Sequence, residues 1–297
     1  MAEDQVERLR RIRDAERKRG GESGSRRVGS ARRLSVTSGK GGVGKSSFAL
    51  NTAIILSSMN KKVLLIDADT NLANIDIMLG VAPRYNLSDV ITGGKFMQEI
   101  ITSGPGGIDI LPGASGDVEM VELEAEVQRR LVDSFSSLEQ EYDFVIIDTG
   151  AGLTTSVVNY VTSSDEVVIV TNPEPTAISD AYTMIKVIST YNPVLRVRLL
   201  VNGVKSRDQA ISVYDRLNLV AQNFINRSIE YLGHLPMDDS VAAAVSRRSP
   251  FVLEFPKCNA SRALRLTTRK LLTGRTTKIS ENRSLFSKFF RMKSDRV

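Results

Sequence analysis

Eight residues at positions 39–46, G-K-G-G-V-G-K-S, restrict this chain more than any other stretch of it. They match G-x-x-x-x-G-K-[ST] in full, and that pattern functions only as a turn between a strand and a helix. The flanks supply both: "RRLSVTS" (32–38) reads as a strand and "SSFALNTAIILSS" (46–58) as a helix. In this frame the glycines let backbone N–H groups close around phosphate oxygens, and the helix N-terminus adds its positive end. Lys45 reaches the terminal phosphates and Ser46 offers its hydroxyl to Mg²⁺. Gly39, Lys40, Gly41, Gly42, Val43, Gly44, Lys45, Ser46 and Ser47 are thus the expected cradle for a nucleotide. Lys40 is surplus to this account, because Lys45 already serves the phosphates.

Around the loop, short β-branched runs alternate with helical patterns. "KKVLLIDAD" (61–69), "YDFVIIDTG" (142–150), "DEVVIVTNP" (165–173) and "LRVRLLVNG" (195–203) are strand-like, and 176–190 and 208–225 have helical spacing. That order predicts an α/β fold: a doubly wound, mostly parallel sheet flanked by helices. We assign 34–256 to the nucleotide domain, 1–19 to a separate short helix, the Gly/Ser/Arg-rich 20–33 to a flexible linker, and 257–297 to basic C-terminal helices. The net charge of +6 divides into +5 over residues 1–33, −9 over the middle and +10 over 257–297. An acidic body with basic ends predicts contact with acidic protein, nucleic acid or anionic lipid. The single cysteine, Cys258, excludes an internal disulfide framework and suits a reducing cytoplasm. With no apolar run of spanning length and no secretory signal, the expected location is cytoplasmic.

Two further segments are expected to converge on the loop. "FVIIDTGAG" ends a strand in Asp148, placed to hold the Mg²⁺ shell through water, and Gly150 and Gly152 make the following loop a candidate γ-phosphate switch. "LLIDADTNLANID" ends another in Asp67 and Asp69, which share a strand face and could both approach the phosphates. Either could position the attacking water, and either could be a polar strand end. A guanine site would show N-K-x-D after a strand, whereas the chain has Asn202-Gly203-Val204-Lys205. Adenine is therefore the expected base and ATP with Mg²⁺ the expected ligand. Asn202 and the turn "LPMDD" (235–239), with Pro236 and Asp238, are the candidate base contacts.

K-G-G-V-G-K-S with its extra lysine, D-A-D-x-x-L-A-N-I-D, D-T-G-A-G and L-P-x-D-x-S-V resemble the deviant Walker-A ATPases of the MinD/ParA group over nearly all of 34–255. The resemblance implies slow, dimer-dependent ATP hydrolysis, with Lys40 reaching across an ATP-bound homodimer to the partner's phosphates as an arginine finger would. It makes Lys40, Lys45, Asp67 and Asp69 the catalytic candidates and Ser46 and Asp148 the metal-holding ones. "DQVERLR" (4–10) is similar to the D-Q-A-x-x-L-R element of the FlhG group, also called FleN or YlxH, regulators of flagellar number and placement. That likeness implies stimulation of an FlhF-type GTPase through Gln5, Arg8, Leu9 and Arg10. It also implies the flagellar switch complex or a flagellar transcription activator as further partners. Val6 replaces the usual Ala of the element, and Asn71 stands where the switch loop commonly has Gly.

At the C-terminal end "RSLFSKFFRMK" places Leu285, Phe286, Phe289 and Phe290 on one helical face with Lys288 and Arg291 elsewhere. Periodicity admits two readings, a helix lying on an anionic membrane and a helix docked on its own core. The resemblance favours the membrane, hence peripheral attachment to the inner face of the cell membrane. The competing function is a ParA-like partition ATPase whose basic ends bind DNA nonspecifically; nucleic acid is otherwise not expected as a partner. Iron–sulfur carrier ATPases that share the loop need a cysteine pair, which one Cys258 does not provide.

Overall fold

The computed structural model describes residues 31–69, 75–114, 123–273 and 285–294, without the side chains of 291–294. In chain order the elements are β1 (Arg32–Ser38), α1 (Lys45–Ser58), β2 (Val63–Ala68), α2 (Ile75–Leu79), α3 (Leu87–Ile91), α4 (Met97–Ile100), β3 (Thr102–Ser103), β4 (Asp109–Leu111), α5 (Ala125–Glu139) and β5 (Phe144–Ala151). There follow α6 (Thr155–Ser163), β6 (Glu166–Thr171), α7 (Pro175–Tyr191), β7 (Arg196–Val204), α8 (Arg207–Ile225), β8 (Glu230–Pro236), α9 (Asp239–Ser246), α10 (Phe251–Glu254), α11 (Asn259–Thr273) and α12 (Leu285–Ser294).

The eight strands run β3-β4-β2-β5-β1-β6-β7-β8, all parallel except the short β3 at one edge. Both faces are covered, so the central strands bury successive residues on opposite sides. On β5, Phe144 and Ile146 join the core under α1, α10 and α11, while Val145 and Ile147 join the one under α5 and α12. A third core lies beneath α6, α7 and α8 around Val167, Ile169, Leu199 and Val201. Helix α1 is buried from Phe48 to Leu56, since sheet and C-terminal helices enclose it. The five strand-like runs all became strands. β8 and the β3–β4 pair were not anticipated, because Gly233 interrupts the apolar run of one and the other two span only two and three residues.

Two expectations about the ends need correction. The strand begins at Arg32, inside the expected linker, and Arg33 is buried with its guanidinium on Asp165 (Nη2–Oδ1 2.8 Å, Nε–Oδ2 3.2 Å). More consequential, Leu285, Phe286, Phe289 and Phe290 do not present a free face to lipid. The first three are fully buried and Phe290 is 8% exposed. Phe286 meets Phe135 edge-on at 4.7 Å and Phe289 lies 4.6 Å from the Tyr160 ring, so α12 fills a groove between α5 and α6. Burying such rings on protein removes the same apolar area from water that a bilayer would. Gln5, Arg8, Leu9, Arg10 and Asn71 lie outside the described residues.

The seat of α12 contains a titrating group. The Leu285 N–H donates to Glu139 Oε2 at 3.3 Å, and Arg33 lies 3.6 Å from Oε1. Burial pushes the Glu139 carboxyl up to about 7, against the pull of Arg33, the Leu285 N–H and Lys288; Asp165 adds to the rise. From about pH 4.5 to 7 the native state therefore holds a proton that the unfolded chain has released, so stability falls as pH rises through that window. Glu139→Gln keeps an acceptor for Leu285 and removes the titration. Melting temperatures at pH 5 and pH 8 should fall more steeply for the parent than for the variant, the difference corresponding to on the order of 3 kcal/mol. Parallel profiles would refute the assignment.

Candidate functional site

The site sits at the carboxyl ends of β1, β5 and β2, beside the central strand where connections leave to either side. Gly44 takes a left-handed conformation (φ 92°, ψ 20°) and α1 starts at Lys45 with no side-chain cap. The first-turn N–H groups of α1 are thus left for an external acceptor. A Cβ on Gly41 or Gly42 would meet nothing within 4 Å, so the loop encloses open space, whereas one on Gly39 would lie 2.4 Å from the Asp180 main chain. Gly39 is what allows α7 to approach the loop.

The two lysines occupy different stations. Lys45 is buried, its ammonium 3.2 Å from Asp148 Oδ1 and 3.3 Å from Ser46 Oγ. Lys40 extends to the rim, where Nζ donates to Glu174 Oε2 at 2.5 Å and Thr176 Oγ1 at 3.1 Å, with 39% of its side chain exposed. Bonding to Lys40 holds the Glu174 carboxyl below its usual range. Glu174 and Thr176, at the start of α7, escaped sequence reading. The "NPEPT" run after β6 marks a helix start, but nothing local points it at residue 40.

Asp148 is fully buried; burial raises its carboxyl pKa, while Lys45 and the Ser46 hydroxyl draw it down. Among the described residues, its Oδ2 and the Ser47 Oγ are buried without a hydrogen-bond partner. Two orphaned oxygens beside an uncapped helix start and a lysine suit a phosphate-bound Mg²⁺, which Ser46 and Asp148 would hold, the latter through water. On the adjacent strand Asp67 stands in register with Asp148. Its carboxylate accepts from the N–H of Asp69 (3.3 Å) and of Ile75 (3.1 Å), bracketing both ends of the intervening segment. Asp69 instead faces the end of β5: a Cβ on Gly150 would lie 3.4 Å from Asp69 Oδ1. Gly152 N–H, in the loop after β5, donates to Ser38 O at 3.0 Å, tying that loop to the strand that enters the P-loop.

The candidate base contacts also have partners within the fold. Asn202 Nδ2 donates to Val43 O at 2.8 Å, so its amide braces the P-loop from β7, and Gly44 has no room for a Cβ beside it. Asp238 spends both carboxylate oxygens on helix starts, accepting from Ser240 N and Ala260 N at 3.0 Å each. Both side chains thus brace the backbone around the site. Pro236 closes β8 opposite Val204.

Comparisons with known proteins agree with this geometry. A family profile described as "AAA domain" matches residues 31–200. The chain is 37% identical over 238 residues to the antiactivator FleN of Pseudomonas aeruginosa, covering 80% of this chain and 85% of that one. It is 38% identical over 207 residues to the flagellum site-determining protein YlxH of Helicobacter pylori, covering 69% of each. The septum site-determining protein MinD of Bacillus subtilis is 31% identical over 242 residues. Among solved structures, MinD of Pyrococcus horikoshii complexed with Mg-ADP superposes with a TM-score of 0.68 at 26% identity, covering 84% of this chain and all of that one. The MinC:MinD cell division complex of Aquifex aeolicus gives 0.67 at 27% identity, over 82% of this chain and 97% of that one.

Proposed function

Since the chain belongs to the FleN/FlhG group of MinD/ParA-type P-loop ATPases, we propose that it is an ATP-dependent dimerisation switch that regulates the number and placement of flagella. The observation that carries this is the separation of the two lysines. Lys45 lies inside its own loop on Asp148, while Lys40 waits at the rim on Glu174 and Thr176. A loop lysine held outward supports the reading that it serves a second protomer. In the ATP-bound homodimer the P-loop amides, Lys45 and Ser46 hold the triphosphate, and the partner's Lys40 adds positive charge where it develops on the phosphates. Mg²⁺, held by Ser46 and Asp148, would neutralise phosphate charge. Asp69 orients the water and Asp67 braces the segment that carries Asp69. Hydrolysis is slow because this arrangement is complete only in the dimer.

The segment 1–19 stimulates an FlhF-type GTPase through Gln5, Arg8, Leu9 and Arg10, with Arg8 and Arg10 acting on phosphate charge and Gln5 orienting a water. The flagellar switch complex or a flagellar transcription activator reads the dimer state. The protein works in the cytoplasm, peripherally attached to an anionic membrane; no helix among the described residues is long and apolar enough to cross one. The test is partner GTPase turnover with full-length protein and with a form lacking residues 1–18. Deletion should abolish stimulation and leave intrinsic ATP turnover within about twofold of the parent. Full stimulation by the truncated form would remove this part of the function.

A further inference from the structure

A cavity of about 170 Å³ lies over the carboxyl ends of β2 and β4, on the side of β2 turned away from β1, and no step above uses it. The chain makes this space by ending β4 early. After Leu111 come Pro112 and Gly113, and a Cβ on Gly113 would strike the Asp67 carbonyl oxygen. Only glycine lets the chain turn in against β2 there. Across the gap, α2 and the residues after it supply the opposite wall through Ile75, Val81 and Pro83. Ile75 and Ile110 are buried and form the apolar interior, while Val81 is 41% exposed.

Open parallel sheets take ligands at the carboxyl ends of their strands. The volume suits one six-membered ring, since benzene occupies an apolar protein cavity of similar size. A nucleotide is too large for it. Charge narrows the class further: among the described residues its walls contain Asp67 and Asp76 and no Lys or Arg, so an anionic ligand would meet like charge without a counter-ion. Of the two, Asp67 is committed to the N–H groups of Asp69 and Ile75, whereas Asp76 is fixed at the start of α2 by accepting from the Ile77 N–H at 2.6 Å through Oδ1. We propose that this cavity binds a small ligand made of one apolar ring and a protonated amine, the ring between Ile75 and Ile110 and the ammonium on Asp76.

Asp67 links the cavity to the nucleotide site. It lines the cavity together with Ile75, and its carboxylate joins Ile75 to Asp69 across the intervening segment. A ring packed on Ile75 holds that clamp closed and with it the segment that carries Asp69, so the ligand raises ATP turnover. This coupling rests on the role proposed above for Asp69; the binding site does not.

Full-length protein saturated with Mg-ADP, which occupies the P-loop, is titrated calorimetrically with benzylamine, benzyl alcohol and benzoate, probes that share the ring and differ in charge. Benzylamine should bind, benzyl alcohol about fivefold more weakly, and benzoate not measurably. Asp76→Asn keeps an acceptor for Ile77 and should bring benzylamine down to the affinity of benzyl alcohol. Val81→Phe puts a ring of the protein's own into the cavity and should abolish binding of both. Melting temperatures establish that each variant folds. In steady-state assays benzylamine should raise ATP turnover of the parent severalfold and leave Val81→Phe insensitive. Failure of all three probes to bind the parent overturns the site, and benzoate binding as well as benzylamine overturns the amine assignment. Unchanged benzylamine binding by Val81→Phe overturns the location. Binding without a change in turnover overturns the coupling, whereas parent-like turnover in Asp69→Ala defeats the role of Asp69 and leaves the binding result standing.

Discussion

Lys40→Ala is expected to bind ATP as the parent does, to fail to pair on ATP, and to hydrolyse it about 10³-fold more slowly or worse, the range over which charge supplied in trans acts in related chemistry. The reason is the division of labour at the loop. Lys45 keeps its contacts with Asp148 and Ser46, and the uncapped start of α1 still offers its amides, so nucleotide affinity survives. What is lost is the one loop cation held outside its own cradle. Sedimentation velocity with ATP and single-turnover hydrolysis on the same preparation check both halves. An intact ATP dimer of the variant would sink the trans role. Asp69→Ala supplies the contrast, since it should pair on ATP and persist as a dimer with little turnover.

Phe286→Ala should cost about 3–5 kcal/mol, because the ring is fully buried and leaves a cavity against Phe135. For a domain of this size that corresponds to a melting temperature lower by about 6 °C or more, measured without lipid. Phe289→Glu combined with Phe290→Glu should do worse, since it buries two carboxylates in the groove between α5 and α6. A surface helix poised on a bilayer would leave the melting temperature in the absence of lipid unchanged. That result would return these rings to the membrane.

The P-loop was legible because its signal is local. The glycines, Lys45, Ser46 and the flanking strand and helix occupy one contiguous stretch, and the left-handed Gly44 before an uncapped helix follows from that order. The central strands were legible because burial on both faces leaves unbroken β-branched runs, as in β5 and β6. Asp148 could be placed because it ends the apolar run of β5, although the strand itself continues to Ala151.

Other assignments needed distances between residues remote in sequence. Strand alternation put Asp67 and Asp69 on one face and could not separate them; the N–H groups of Asp69 and Ile75 claim the first, and proximity to Gly150 marks out the second. Glu174 lies 134 positions from the lysine it holds. The bond from the Asn202 amide to Val43 O joins residues 159 positions apart and was likewise invisible in sequence.

The C-terminal helix shows the division most clearly. Sequence alone determined that residues 285–290 form an amphipathic helix that must hide Leu285, Phe286, Phe289 and Phe290, because a 3.6-residue period places them on one side. Which apolar partner hides them was decided only by the tertiary structure, where Phe135 and Tyr160 from α5 and α6 meet the rings and Glu139 accepts from the Leu285 N–H. The hydrophobic effect is non-directional: it specifies that such a face leaves water and is silent on where it goes. In α11 the same period carries the opposite information, for its basic stripe was written in the sequence, but only packing of Leu264 and Leu271 into the core turned that stripe outward.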